Sequence, residues 1–250
     1  MMQESRKTGS LLLVLFSFSL LQMGAFLSLA FAGGPVAVAP GGRPVRWSPA
    51  RIGFVIDNGP LGSTSRDAAA TQVRAAFQAW EDVETSSITF EDRGFLPVDV
   101  NLNNYDQYLE VKRPEGNVIV FDSDGSITDD FFGEESDDVL GFATAVRAGS
   151  TSDRFDFGFA VLNGRNSTSA NFRSVLIHEL GHMIGLDHTQ AGHAQALNGR
   201  ADDNGNVPIM YPFSISFAAQ QPRPDDRAWL SWLYPAPGFE AATGTISGQI

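Results

Sequence analysis

The stretch His178 to His188, HELGHMIGLDH, constrains this chain more than any other part of it. His178 and His182 are four residues apart, so on a helix they project from one face, one turn apart. Two imidazoles so placed can share one zinc ion. Glu179 follows the first of them and can reach a water on that ion rather than the ion itself. Gly185 comes three residues after His182. Glycine takes positive φ without steric cost, so it can end the helix and turn the chain back, which brings His188 toward the same ion. Three neutral imidazoles leave a fourth position open to water, the layout of a catalytic rather than a structural zinc. At this composition the full pattern would arise by chance with a probability on the order of 4 × 10⁻⁶. Three of the four histidines lie inside it, so an ordinary amphipathic helix with surface histidines is set aside. His193, with no partner left to build a second such site, reads as exposed.

The rest of the composition mostly excludes. With 250 residues, 43% of them apolar, the chain can bury a substantial core and is not disordered throughout. It has no cysteine, which removes disulfides, thiolate zinc sites and thiol catalysis together. Its net charge of −12 argues against a nucleic-acid partner. Arg6 and Lys7, the apolar run Leu11 to Phe31 and the small-x-small site Ala30-Phe31-Ala32 read as a secretory signal peptide over residues 1–32. A retained anchor is the competing reading, since the run is long enough to span a bilayer. After cleavage no stable membrane anchor is expected, and the chain is secreted or periplasmic.

Residues 33–44, rich in Gly, Pro and Ala, read as a flexible lead-in to a domain at 45–238. Arg51 to Asp57 has a strand composition. Ser65 is placed to cap a helix from about Asp67 to Val83, whose Val73, Ala76, Phe77 and Trp80 form one apolar stripe. Ser87 to Glu91 (SITFE) and Asn117 to Phe121 read as strands, the second apolar enough to be buried on both faces. Residues 122–138 carry eight acidic side chains and no base. They read as a solvated acidic loop or as a set of oxygen ligands for calcium, although the EF-hand pattern fails at Ser126. Val139 to Val146 and Phe155 to Asn163 are further strands across a polar turn. The order of elements suggests an α+β or α/β layer with a mixed sheet. Residues 239–250 restart a strand-like pattern, read as a tail or as the first piece of a further module.

The motif HExxHxxGxxH resembles the zinc signature of the metzincin metalloproteases. Pro208-Ile209-Met210-Tyr211-Pro212 looks like the methionine turn of that clan, 22 residues from His188 to Met210. Thr189 after the third histidine, the Phe77-Gln78-Ala79-Trp80 helix before SITFE, and Asp225-Asp226 followed by Trp229, Trp232, Leu233 and Tyr234 are similar to the matrixin branch, over about residues 45–235. The resemblance implies a zincin-like α+β fold. A twisted mixed sheet would pack on an N-terminal helix and the zinc-binding helix, with a C-terminal helix after the turn. It implies zinc on His178, His182 and His188, with Glu179 as general base. Met210 would pack beneath the metal, a generic core methionine being the alternative. Gly185 supports the bend. Asp225 and Asp226 tie the last helix to the turn, or alternatively charge its first turn. Leu140, Gly141, Phe142 and Ala143 would be the edge strand that pairs with substrate, unless that strand is internal. Phe213, Ile215 and Phe217 would wall an apolar side-chain pocket.

Two features depart from matrix metalloproteinases: there is no cysteine to hold the enzyme latent, and no histidines remain for a structural zinc. The implied function is a secreted, monomeric zinc endopeptidase acting on protein or peptide substrates, with calcium as a possible second ion. The alternatives are a secreted zinc-binding adhesion module without catalysis, and a zinc hydrolase acting on a non-peptide bond.

Overall fold

The computed structural model describes residues 33–110, 112–167, 172–200, 202–213 and 220–244. The expected signal segment at 1–32, pocket residues Ile215 and Phe217, and the end of the tail lie outside the described residues.

Five strands build one sheet: β1 (Arg51–Ile56), β2 (Thr89–Phe95), β3 (Asn117–Asp122), β4 (Gly141–Arg147) and β5 (Phe155–Asn163). They lie in the order β2-β1-β3-β5-β4. All neighbours are parallel except β4, which runs antiparallel to β5 at one edge. The sheet is thus mixed, as expected. The period-two alternation of strands sends successive residues to opposite faces. Ile119 and Phe121 of β3, Ile52, Phe54 and Ile56 of β1, and Ala160 and Leu162 of β5 enter one core. Val118 and Val120, Val55, and Phe159 and Val161 enter the other. With both faces covered, β3 is buried at every position.

The first face is covered by α1 (Arg66–Glu81) and by the helix bearing the motif, here α2 (Phe172–Met183). The apolar stripe of α1 packs inward, with Phe77 stacked on Phe54 at 4.1 Å between ring centroids. Trp80 is fully buried and donates its indole N–H to the Ile177 carbonyl at 2.9 Å, which locks α1 against α2. A later helix, α3 (Pro224–Leu233), completes this layer through Leu230 and Leu233.

Several expectations need correction. Ser65 occupies the position before α1, but its side chain makes no capping bond. The SITFE strand starts two residues late and runs on to Phe95, because Ser87 N–H bonds to the Tyr234 carbonyl instead of a strand partner. The acidic stretch is no loop. Ser126–Phe132 is helical and Gly133–Asp138 is a 3-10 turn. Buried Asp122 accepts from Ile127 N–H, Thr128 N–H and the Thr128 hydroxyl, satisfying orphan donors at the start of that helix. The missing base comes from far along the chain: Arg165 grips Asp129 with both terminal nitrogens. Residues 33–44 are not a free lead-in either. Gly34 and Val36 hydrogen-bond across to Asp187 and Gly185, and Val45 is completely buried. Phe239–Ala242 is a short helix rather than a strand. No helix among the described residues is long and apolar enough to cross a membrane.

Candidate metal centre

The motif helix α2 ends in a glycine-terminated cap. Gly185 adopts φ +103°; its N–H bonds to the His182 carbonyl at 3.0 Å, and Leu186 N–H bonds to the Gly181 carbonyl at 2.9 Å. This pair of bonds is the Schellman arrangement, with glycine at the left-handed position. The next carbonyls are satisfied from elsewhere. Trp47 donates its indole N–H to Met183 at 3.0 Å, Tyr234 its hydroxyl to Ile184 at 2.6 Å, and Val36 its N–H to Gly185 at 2.9 Å. Three remote segments therefore hold the bend that carries His188.

The bend brings the three histidines together. Their Nε2 atoms form a near-equilateral triangle: 3.2 Å from His178 to His182, 3.2 Å from His178 to His188 and 3.1 Å from His182 to His188. Among the described residues this is the one group of three or more such side chains spaced to hold a metal ion. The opposite ring nitrogens face backbone carbonyls, His178 Nδ1 at 2.7 Å from Ile209 and His182 Nδ1 at 2.9 Å from Leu186. A carbonyl only accepts, so each Nδ1 carries the proton and each Nε2 turns a lone pair inward. Burial pushes the His178 pKa down to about 4, aided by His188, and lowers those of His182 and His188 as well. Neutral imidazoles are the ligating form. Convergent lone pairs repel one another unless a cation sits among them. A tetrahedral zinc with nitrogens at about 2.0–2.1 Å would hold them roughly 3.3 Å apart. The donor set therefore fits zinc.

Glu179 is buried, and desolvation raises its pKa to about 8. Met210 is buried against α2: a Cβ on Gly181 would lie 2.2 Å from the Met210 sulfur. The Met210 carbonyl accepts from Thr189 N–H at 2.9 Å, which joins the turn to the residue after His188. Asp226 is buried in the first turn of α3. It accepts from Ile209 N–H at 2.9 Å, Met210 N–H at 3.0 Å and Arg223 N–H at 2.7 Å, while burial raises its pKa to about 6. Asp225 shares none of this; its Oδ2 is buried near Gly33 without a hydrogen-bond partner among the described residues. Of the expected pair, only Asp226 makes the tie.

Leu140 precedes β4, and Gly141, Phe142 and Ala143 open it, at the edge of the sheet rather than inside it. Gly141 lies against Glu179. Phe213 is exposed, and exposed His193 places Nδ1 2.9 Å from the Tyr211 hydroxyl. Sequence reasoning did not connect to the site the carbonyls of Ile209 and Leu186, the indole of Trp47 or the hydroxyl of Tyr234. Carbonyls leave no mark in a sequence, and a lone aromatic reads only as core until its hydrogen-bond partner is known.

The family model described as Matrixin matches residues 46–234. The chain belongs to the matrixin family of zinc metallopeptidases. No curated protein matches it.

Proposed function

We propose that the protein is a secreted zinc endopeptidase that hydrolyses peptide bonds with Glu179 as general base. The observation that carries this reading is the triangle of Nε2 atoms at 3.1–3.2 Å with Glu179 next to one of its corners in sequence. His178, His182 and His188 would hold the ion. Zinc in such a site supplies a Lewis acid and an acidified water. The Glu179 carboxylate, kept basic by desolvation, takes the proton from the attacking water and passes it to the nitrogen of the leaving amine. Met210 gives the histidines a soft apolar floor, and Asp226 fixes that floor to α3. Among the described residues β4 ends the sheet, and an extended substrate backbone would add there as a further strand. Export rests on the signal-like residues 1–32 and on the matrixin kinship.

The test is peptide-library cleavage by the zinc-loaded chain, with and without chelator, beside Glu179→Gln. We expect one zinc per chain in both proteins and a loss of at least about 10²-fold in kcat for the variant. Zinc binding without peptide cleavage by the wild type would overturn the peptidase reading in favour of the adhesion module or the non-peptide hydrolase.

A further inference from the structure

The start of the edge strand is held by a residue that the reaction itself does not require. Asn163 is the last residue of β5 and is completely buried. Its backbone N–H donates to the Leu140 carbonyl at 3.0 Å, and its side-chain Nδ2 donates to the Val139 carbonyl at 2.8 Å. Its Oδ1 accepts from Arg165 N–H at 3.1 Å, capping the 3-10 turn Gly164–Asn166. Asp and Asn cap about equally well. Only Asn also supplies a donor, and here that donor is spent on the residue two before β4. The ladder proper begins at Gly141 opposite Leu162. Asn163 therefore extends the grip on the edge strand beyond the last ladder pair.

The segment so gripped lies directly over the motif helix. A Cβ on Gly141 would sit 3.1 Å from Glu179 Cγ and 3.0 Å from the Val161 carbonyl oxygen. The backbone of β4 and the methylene of Glu179 thus meet without a spacer, and glycine is the residue that allows this approach. Any shift of residues 139–141 moves the free edge relative to Glu179.

We propose that Asn163 is a positioning residue for substrate: its amide fixes the first residues of the edge strand against Glu179 through Gly141, so that bound backbone and carboxylate keep one register. This deepens the peptidase reading above and rests on it. In Asn163→Asp the oxygen for Arg165 N–H remains while the donor to Val139 is lost. Asn163→Ala, which removes both side-chain bonds without burying a charge, is the second variant if the buried carboxylate prevents folding. Each is compared with the wild type and with Gly141→Ala as the full zinc-loaded chain. The substrates are a decapeptide that covers the edge strand and a short blocked peptide that does not reach along it.

The brace predicts a five- to tenfold rise in KM for the decapeptide in the Asn163 variants, with kcat within twofold and the short peptide unaffected. Gly141→Ala, which presses on Glu179, lowers kcat about fivefold for both substrates. Hydrogen exchange read at residues 140–143 speeds up at least tenfold in the Asn163 variants, while β3 stays protected. Equal losses on both substrates, or β3 and β4 losing protection together, would show a merely structural asparagine and overturn the proposal. A wild-type chain that cleaves nothing would sink the peptidase reading, while the exchange measurement would still decide the brace.

Discussion

Single residues in this site are chosen as much for what they lack as for what they carry. Gly181, between the first two histidines, has no Cβ because the Met210 sulfur occupies that space. Gly181→Ala is therefore expected to cost about 1–3 kcal/mol by overpacking. It should also weaken zinc binding, because Met210 packs against the helix that carries His178 and His182; urea melts and a competitive zinc titration check both effects. Gly185 combines two demands, a φ of +103° and a Cβ position 2.7 Å from the Phe155 ring. The histidine and glycine spacings were readable because they are local: four residues make one helical turn, and positive φ selects glycine. Asn163 was unreadable because nothing near it in sequence shows that its partner is Val139, 24 residues earlier.

At the scale of elements, α3 matters through one carboxylate in its first turn. Asp226 binds three backbone N–H groups, two of them those of Ile209 and Met210, and burial still raises its pKa from 3.8 to about 6. The folded carboxyl thus holds its proton more tightly than the unfolded one. This group strengthens the fold as pH falls from about 6 toward 4, and that contribution is lost as pH rises through 6. The rise from 3.8 to about 6 corresponds to up to about 3 kcal/mol at 1.4 kcal/mol per unit. Asp226→Asn removes the dependence, so the stability of wild type relative to the variant should increase between pH 7 and pH 4.5. Denaturant midpoints at the two pH values measure it; a constant difference would contradict the assignment. The matrixin resemblance implies a tie through Asp225 and Asp226, with a first-turn charge pair as the alternative. Only the packing of α3 against Ile209 and Met210 selects Asp226 for the tie.

For the whole molecule, the size of the apolar cores predicts a fold that forms without the metal. Two apolar cores flank the sheet, and the first joins α1, α2 and α3 through residues such as Trp80, Leu176 and Leu230. Chelation should leave the far-UV spectrum unchanged and lower Tm, with full recovery on adding zinc. The loss corresponds to about 4 kcal/mol when free zinc stands a thousandfold above Kd. Unfolding on chelation would show instead that the histidine cluster is part of the core. The sequence by itself determined the helix with two histidines on one face, the glycine that turns the chain toward a third, and the continuous apolar run that buries β3 on both faces. Each depends on neighbours within a few residues, where backbone geometry admits few choices. Only the tertiary structure decided that β4 is an edge, that Ile209 and Leu186 orient the imidazoles, and that residues 34–47 brace the bend. Those partners are backbone groups common to every residue, and they come within hydrogen-bond range only once sheet and helices have packed.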